Sequence, residues 1–326
     1  MTNLARAILP ALLCAACSTV AVRVPVMKPA EINMSSYASV AIGEMRGNYD
    51  RPMSNALEEA LVASQRFTVV DRQHMDKVMR ELQISSTDLA DPNSAAKLGK
   101  VVTAGALIFG DVTREYREHT GEDHTKDKDG NTHTVYKVTG EMHVRATFKI
   151  TDVSTGKLII AKTYEEKRDD TNRGFDKRPD PIDRDSLERA ARQAVVERFM
   201  KAIVPHQEYQ YANFRKDGDI PQLEGGIGWA ERGDWKKAQE AFNMAAQDAE
   251  KNLKLKSDQI AKAYFDLGLA YEYAGDYERA TQTVRKAYEL SQDKSMLREL
   301  DGIDRLREES HRAAAEKAAP EVASGK

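Results

Sequence analysis

Apolar residues recur at two different spacings along this chain, and each spacing predicts a different kind of structure. Between Tyr136 and Ile150 apolar and polar residues alternate, which is typical of a half-buried antiparallel strand. Apolar runs at residues 37–43, 67–70 and 104–112 predict further strands, and residues 55–65 show the spacing of a helix with one apolar face. Strands and helices in this order predict an α+β domain over residues 34–204.

Several polar or proline-containing segments are predicted to lie outside helices and strands. Residues 17–33 are predicted to form an extended tether, and residues 205–222 a linker. Residues 114–133 and 169–185 are rich in charged residues and turn formers, so we expect a hairpin tip and a loop. The Ala-rich end, residues 311–326, is predicted to be disordered.

From residue 223 the spacing is helical throughout, and a pattern of small and aromatic residues occurs twice. Three residues of the second copy each lie 42 positions after their counterparts in the first. These repeat-packing residues are Gly226, Trp229 and Ala238 in the first copy and Gly268, Tyr271 and Ala280 in the second. The pattern resembles the tetratricopeptide repeat, whose usual period is about 34 residues, and the extra length falls in the charged stretch 251–258. We therefore predict tetratricopeptide-like helical repeats over residues 223–310.

Stacked helix pairs form a concave groove that binds peptide segments or partner helices. The polar residues predicted to contact a partner protein are Glu231, Arg232, Lys262, Asp266 and Glu272, which lie on the first helix of each pair. The alternative, that these residues simply face solvent, is equally open at this point.

The N-terminus has the order of a secretory signal, with Arg6 followed by a short apolar run and small residues at Ala15 and Ala16. The small-small-Cys ending at Cys17 resembles the bacterial lipobox, although the position three before it is Cys14 instead of the usual Leu. The resemblance implies that residues 1–16 are removed and that Cys17 is lipidated, for example with palmitate. By the same resemblance, Ser18 implies delivery to the outer membrane, on its periplasmic face.

Composition narrows the function classes further. The chain has only two cysteines, both in the first 17 residues, which excludes a disulfide, a cysteine zinc cluster or a cysteine nucleophile in the folded body. A net charge of −3 argues against a nucleic-acid binder. His119, His124 and His133 lie among carboxylates, but a solvated hairpin tip explains them better than a metal site. Because there is also no phosphate loop or nucleophile motif, we predict a non-enzymatic protein without metal or cofactor.

Three spaced motifs in the first domain resemble the CsgG-like family of curli secretion lipoproteins. They are Phe67–Arg72, Gly99–Gly110 and Asp152–Gly156, within a resemblance that covers residues 27–204. The resemblance implies a periplasmic α+β domain that tends to form homo-oligomeric rings, and in channel members each subunit adds hairpins to a pore. Here the corresponding hairpin regions are highly charged, which disfavours a lipid-facing surface.

The leading hypothesis is therefore an outer-membrane-anchored lipoprotein scaffold for export or envelope assembly, whose helical repeats bind a partner protein. The first alternative is a pore-forming subunit of a curli-type secretion channel. The second alternative is a lipoprotein activator of a cell-wall synthase.

Overall fold

The computed structural model describes residues 19–70, 80–83, 88, 94, 97 and 105–318 of the chain. These residues divide into two compact units, each described by itself below. The sheet unit comprises residues 29–206 and 313–318, and the repeat unit comprises residues 19–28 and 207–312. The strands are β1 (Thr19–Lys28), β2 (Ser39–Gly47), β3 (Thr68–Val70), β4 (Ala106–Lys126), β5 (Thr132–Asp152), β6 (Leu158–Phe175) and β7 (His206–Arg215). The helices are α1 (Asp50–Ser64), α2 (Arg184–Ile203), α3 (Gln222–Glu231), α4 (Trp235–Lys251), α5 (Ser257–Tyr273), α6 (Tyr277–Ser291) and α7 (Lys294–Lys317).

The sheet unit contains a five-stranded mixed sheet in the order β3-β2-β4-β5-β6. Strand β2 pairs in parallel with β3 and β4, whereas β4, β5 and β6 form an antiparallel meander. Helices α1 and α2 supply apolar residues to the core of this unit, where Phe148 of β5 stacks on Phe199 of α2 with ring centres 4.2 Å apart. The α+β fold class is confirmed.

Strands β4 and β6 are much longer than the sequence pattern predicts. β4 continues through residues predicted to be a hairpin tip, and β6 includes residues 169–175 of the predicted loop. The physical reason is cross-strand pairing, because polar side chains on neighbouring strands form ion pairs and hydrogen bonds even where the sequence has no apolar alternation. Arg117 lies opposite Glu141 in the β4–β5 register, and Arg145 of β5 pairs with Glu165 of β6 at 3.1 Å. The actual hairpin tip is short, and Asp127 caps it by accepting hydrogen bonds from the backbone N–H groups of residues 129 and 131.

The repeat unit consists of two antiparallel helix pairs, α3–α4 and α5–α6, followed by the part of α7 that belongs to it. Its two halves pack in the same way. A Cβ atom placed on Gly226 would lie 2.4 Å from the Phe242 ring, and one placed on Gly268 would lie 2.4 Å from Val284. Both contacts join positions related by the 42-residue offset, so a glycine allows close helix approach in each pair.

Two segments predicted to be irregular form a two-stranded sheet in the repeat unit. β1 occupies most of the predicted tether, and β7 occupies much of the predicted linker. Both strands alternate: Val22 and Val24 are buried on β1, and Ala212 and Phe214 are buried on β7. Burial of one face explains why these segments are strands. At the other end of the chain, α7 extends to Lys317, within the segment predicted to be disordered.

Candidate partner-binding site

The repeat unit contains a pocket of about 410 Å³ between β7, α5 and the start of α7. Four cationic side chains line it together with one aromatic ring and several polar groups. The lining residues are Thr19, Asn213, Arg215, Lys216, Lys262, Phe265, Asp293, Ser295, Arg298 and Glu299. Of the five residues predicted to contact a partner, Lys262 is the one that lines this pocket.

Arg215, at the end of β7, is held in place on several sides. Its guanidinium pairs with Asp293 at 3.0 Å and donates a hydrogen bond to the hydroxyl of Ser295 at 2.7 Å. The guanidinium carbon also lies 4.3 Å from the centre of the Phe265 ring, which is a cation–π contact. These contacts fix Arg215 as part of the pocket wall, with its guanidinium group over the Phe265 ring.

Asp266 fixes the backbone of β7 at Arg215, a residue that lines the pocket. Its carboxylate accepts the backbone N–H of Arg215 at 2.9 and 3.1 Å, and its side chain is fully buried. Burial raises the pKa of Asp266 well above its usual range, against the opposing effects of this hydrogen bond and of the nearby Arg215 and Lys262 charges. Asp266 therefore joins α5 to β7 and does not reach a partner, which corrects the prediction for this residue.

Glu272 is also buried, with 3% of its surface exposed, and its carboxyl group is hydrogen-bonded to that of Glu299 on α7. Burial raises the pKa of Glu272 well above its usual range, and the neighbouring Glu299 charge raises it further. Burial also raises the pKa of Glu299, against the opposing effects of the hydrogen bond from Glu272 and of the nearby Arg215 charge. Glu272 and Glu299 thus form a carboxyl pair behind the pocket, which corrects the predicted role of the buried Glu272 as a direct partner contact.

Lys262 faces the pocket from α5 and pairs with Asp217 at 2.8 Å. Burial raises the pKa of Asp217, but hydrogen bonds from Lys262, Gln259 and the backbone of Asp219 outweigh it, so the net pKa lies below the usual range. The ion pair holds the loop after β7 against α5.

Two predicted partner residues lie elsewhere on the repeat unit. Glu231 and Arg232 are exposed at the end of α3, and the Arg232 guanidinium lies 5.5 Å from the centre of the Trp229 ring. Neither lines the pocket, so their contact with a partner stays a prediction. Of the repeat-packing residues, Ala238 and Ala280 are fully buried, and Trp229 and Tyr271 are half-buried.

Most residues of this pocket lie in segments whose sequence pattern does not indicate a binding site. Arg215 and Lys216 lie in the segment predicted to be a linker, and Asp293, Ser295 and Arg298 lie around the start of α7. The alternation of Tyr209, Tyr211 and Asn213 with Ala212 and Phe214 was the available signal for β7. The contribution of α7 has no local signal, because it depends on how the third element packs on the second helix pair.

The four cations give this pocket a chemical preference. Arg215 and Lys262 are paired with Asp293 and Asp217, and Lys216 pairs with the exposed Glu224 at 3.2 Å. Arg298 makes no ion pair with any residue in the described part of the chain. Four cationic side chains but only two carboxyl groups, Asp293 and Glu299, line the pocket, so the lining has excess positive charge, which favours an anionic group beside the Phe265 ring.

Other features of the prediction lie partly or wholly outside the described residues. Cys17 and the signal segment precede residue 19, so the structure does not describe them. Within the described residues, no group of three or more His, Cys, Asp or Glu side chains is arranged to hold a metal ion. None of the helices in the described ranges is both long enough and apolar enough to cross a membrane.

Comparison with protein-family models gives two matches. Residues 20–196 match the model of the curli production assembly/transport component CsgG. Residues 230–293 match a tetratricopeptide-repeat model. The two resemblances predicted from the sequence are confirmed. A search of curated proteins found no significant match.

Solved structures similar to this chain share little sequence with it. The LpoB C-terminal domain from Salmonella enterica is 15% identical with a TM-score of 0.24, and the alignment covers 42% of this chain and 87% of that one. Lipoprotein GNA1162 from Neisseria meningitidis is 12% identical with a TM-score of 0.29, covering 50% and 96%. A minor lipoprotein from Acinetobacter baumannii is 11% identical with a TM-score of 0.23, covering 50% and 91%.

Proposed function

The chain belongs to the family of the curli production assembly/transport component CsgG, and from that premise we propose that it is a lipid-anchored, non-enzymatic scaffold of the bacterial envelope. In this proposal Cys17 carries the lipid, the protein lies on the periplasmic face of the outer membrane, and the repeat unit binds a partner protein. The observation that carries the proposal is the cationic pocket beside Phe265 in a tetratricopeptide-repeat unit.

The pocket supports an acidic peptide segment as the ligand. Arg215 and Phe265 form a preorganised wall, and Lys216 and Arg298 add positive charge without a buried partner of their own. A carboxylate-bearing side chain accepts hydrogen bonds from such donors, and an adjacent apolar group packs on the ring. Tetratricopeptide repeats are helix-pair arrays that bind extended or helical segments, which fits a peptide better than a small metabolite.

The sheet unit favours a scaffold over a pore-forming subunit. The distal part of β4 has charged residues at consecutive positions, Arg114 and Glu115 and then Arg117 and Glu118, so both faces of the strand carry charge. A charge on a lipid-facing strand costs about 2–4 kcal/mol near the membrane midplane. Cross-strand ion pairs such as Arg145 with Glu165 fit contact with water or with another protein.

Partner binding is tested by site-specific photo-crosslinking from the pocket. A photoreactive residue at Asn213, which is exposed and lines the pocket, should crosslink in cells to one protein through an acidic segment identified by mass spectrometry. Combining it with Lys216→Glu and Arg298→Glu should abolish the crosslink. The matched control is Arg285→Glu, which reverses an exposed charge on α6 outside the pocket and should leave the crosslink intact.

A crosslink that survives both reversals, or that Arg285→Glu removes equally well, would refute the pocket as the binding site. The anchor is tested separately by the mass of the mature N-terminal peptide, which should begin at Cys17 and carry acyl chains. The Cys17→Ser variant should leave the membrane fraction, because the anchor supplies most of the membrane affinity.

A further inference from the structure

The two-stranded sheet of the repeat unit has one exposed face, which we call the ribbon face. Its inner side packs on the helices through Val22, Val24 and Phe214. The ribbon face consists of the alternate, exposed positions of both strands: Thr19, Ala21, Arg23 and Pro25 on β1, and Gln207, Tyr209, Tyr211 and Asn213 on β7.

The chemistry of this face differs from that of the chain as a whole. The protein has 52 acidic residues, yet none of the eight positions of the ribbon face is Asp or Glu. Its single charge is Arg23, whose guanidinium carbon lies 3.6 Å from the centre of the Tyr209 ring. Tyr209 and Tyr211 are 53% and 65% exposed, which leaves two large amphipathic rings in solvent.

A surface that carries tyrosine and arginine but no carboxylate suits the headgroup layer of a lipid membrane. Tyrosine is enriched at membrane–water interfaces, because its ring packs among acyl chains while its hydroxyl stays hydrated. Arginine reaches lipid phosphates while its aliphatic stem lies along apolar surface. Carboxylates, which anionic lipids repel, are the residues missing from the face.

The position of the face along the chain points to the membrane as its occupant. Thr19 begins β1 and is separated from Cys17 by one residue, so at most about 7 Å of chain connects the ribbon to a lipid on that cysteine. Thr19 lies near Asn213 and Arg215 at one end of the two-stranded sheet. Tyr211 precedes Arg215 by four residues on β7, which is a distance of about 13 Å along the strand. The proposed anchor therefore holds the tyrosines within reach of the membrane surface.

We propose that the part of the ribbon face formed by Tyr209, Tyr211 and Arg23 lies in the headgroup layer of the membrane and orients the repeat unit on it. This inference rests on the proposed lipidation of Cys17. It assigns a second membrane contact, made by folded protein, in addition to the anchor. Two contacts define an orientation, whereas a single lipid anchor leaves the protein free to rotate about it.

The test places one fluorescent probe on the ribbon face of the lipidated full-length protein. Cys14 lies in the segment predicted to be removed and Cys17 is the lipidated residue, so Tyr211→Cys supplies a single free thiol. The labelled protein is reconstituted in vesicles of phosphatidylethanolamine and phosphatidylglycerol with spin-labelled phospholipid as the quencher. Ala21→Cys tests the same face from β1, and Met244→Cys, 63% exposed on α4, is the control.

The expected result is quenching at positions 211 and 21 that exceeds the quenching at 244 about twofold or more, since the probe at an interfacial position lies among the lipids. Equal quenching at all three positions, with an acylated Cys17, would overturn the ribbon inference and leave the anchor standing. An N-terminal peptide without acyl chains would refute the anchor, and the ribbon inference falls with it. A probe at 211 that is shielded from an aqueous quencher in protein without acyl chains, detergent or vesicles would show a protein occupant, which also overturns the inference.

Discussion

Adjacent glycines in α3 provide a sharp test of how the first helix pair packs. A Cβ atom on Gly226 would lie 2.4, 2.5 and 2.7 Å from three atoms of the Phe242 ring, whereas a Cβ atom on Gly225 would have no heavy atom within 4 Å. Carbon atoms in contact normally lie about 3.5–4.0 Å apart, so the ring would have to move by about 1 Å. Phe242 is fully buried and stacks on Phe214 with ring centres 5.4 Å apart, which opposes that movement.

The two alanine variants should therefore change stability in opposite directions. Gly225→Ala should raise the free energy of unfolding by about 0.5–1 kcal/mol, because alanine is the better helix former. Gly226→Ala gains the same helix preference but adds overpacking worth about 1–3 kcal/mol. The expected difference between the variants is thus about 1–3 kcal/mol, with Gly226→Ala the less stable.

Tryptophan fluorescence during urea unfolding measures this difference in stability for the repeat unit. Trp229 and Trp235 are the only tryptophans of the chain, and both lie in the repeat unit. With an m-value of about 2 kcal/mol per molar urea, the two transition midpoints should differ by about 0.5–1.5 M at equal m-values. If Gly226→Ala is as stable as Gly225→Ala, the close contact with Phe242 is wrong.

Three further predictions concern ionisable groups. The folded-state pKa of Glu272 is raised, so its contribution to stability is present below its unfolded pKa and is lost as pH rises through the folded value. The urea concentration at the unfolding midpoint of the repeat unit should therefore fall as the pH rises above the pKa of an ordinary glutamate. The Glu272→Gln variant should show a weaker dependence of this midpoint on pH. Hydrogen bonds to Asp176 and Asp127 raise the pKa of His133, so its NMR titration midpoint should lie above 6.5 and fall in Asp176→Asn. Burial raises the pKa of Asp152, but hydrogen bonds in its turn and from Tyr37 outweigh it and lower the pKa to about 2. The sheet unit should therefore lose stability as pH falls from about 4 toward 2, and circular dichroism should show a smaller loss in Asp152→Asn.

Local pattern was enough to predict the elements whose side chains face a single core. The alternation from Tyr136 to Ile150 is that of β5, because one face of this strand packs on α2 and the other does not. The 42-residue offset likewise predicted which positions meet between helices, since Gly226 and Gly268 contact Phe242 and Val284 at equivalent places. In both cases the neighbours in the sequence supply the packing surface.

Other features depended on partners that are distant in the sequence. The charged ends of β4 and β6 are strands because each residue has a cross-strand partner in β5, and no local apolar period announces that pairing. Asp266 and Glu272 have the polarity of surface residues, yet Arg215 of β7 and Glu299 of α7 cover them.

The sequence by itself determined the α+β class, the family and the helical repeats, because hydrophobic period and spaced motifs are local properties. Only the tertiary structure decided that residues 19–28 pair with residues 206–215 and that β7, α5 and α7 together enclose a cationic pocket. The pairing of β1 with β7 and the packing of α7 beside β7 join segments about 80 to 190 residues apart in the sequence. The free energy that stabilises these contacts comes from buried surface and paired charges, which exist only after the segments meet.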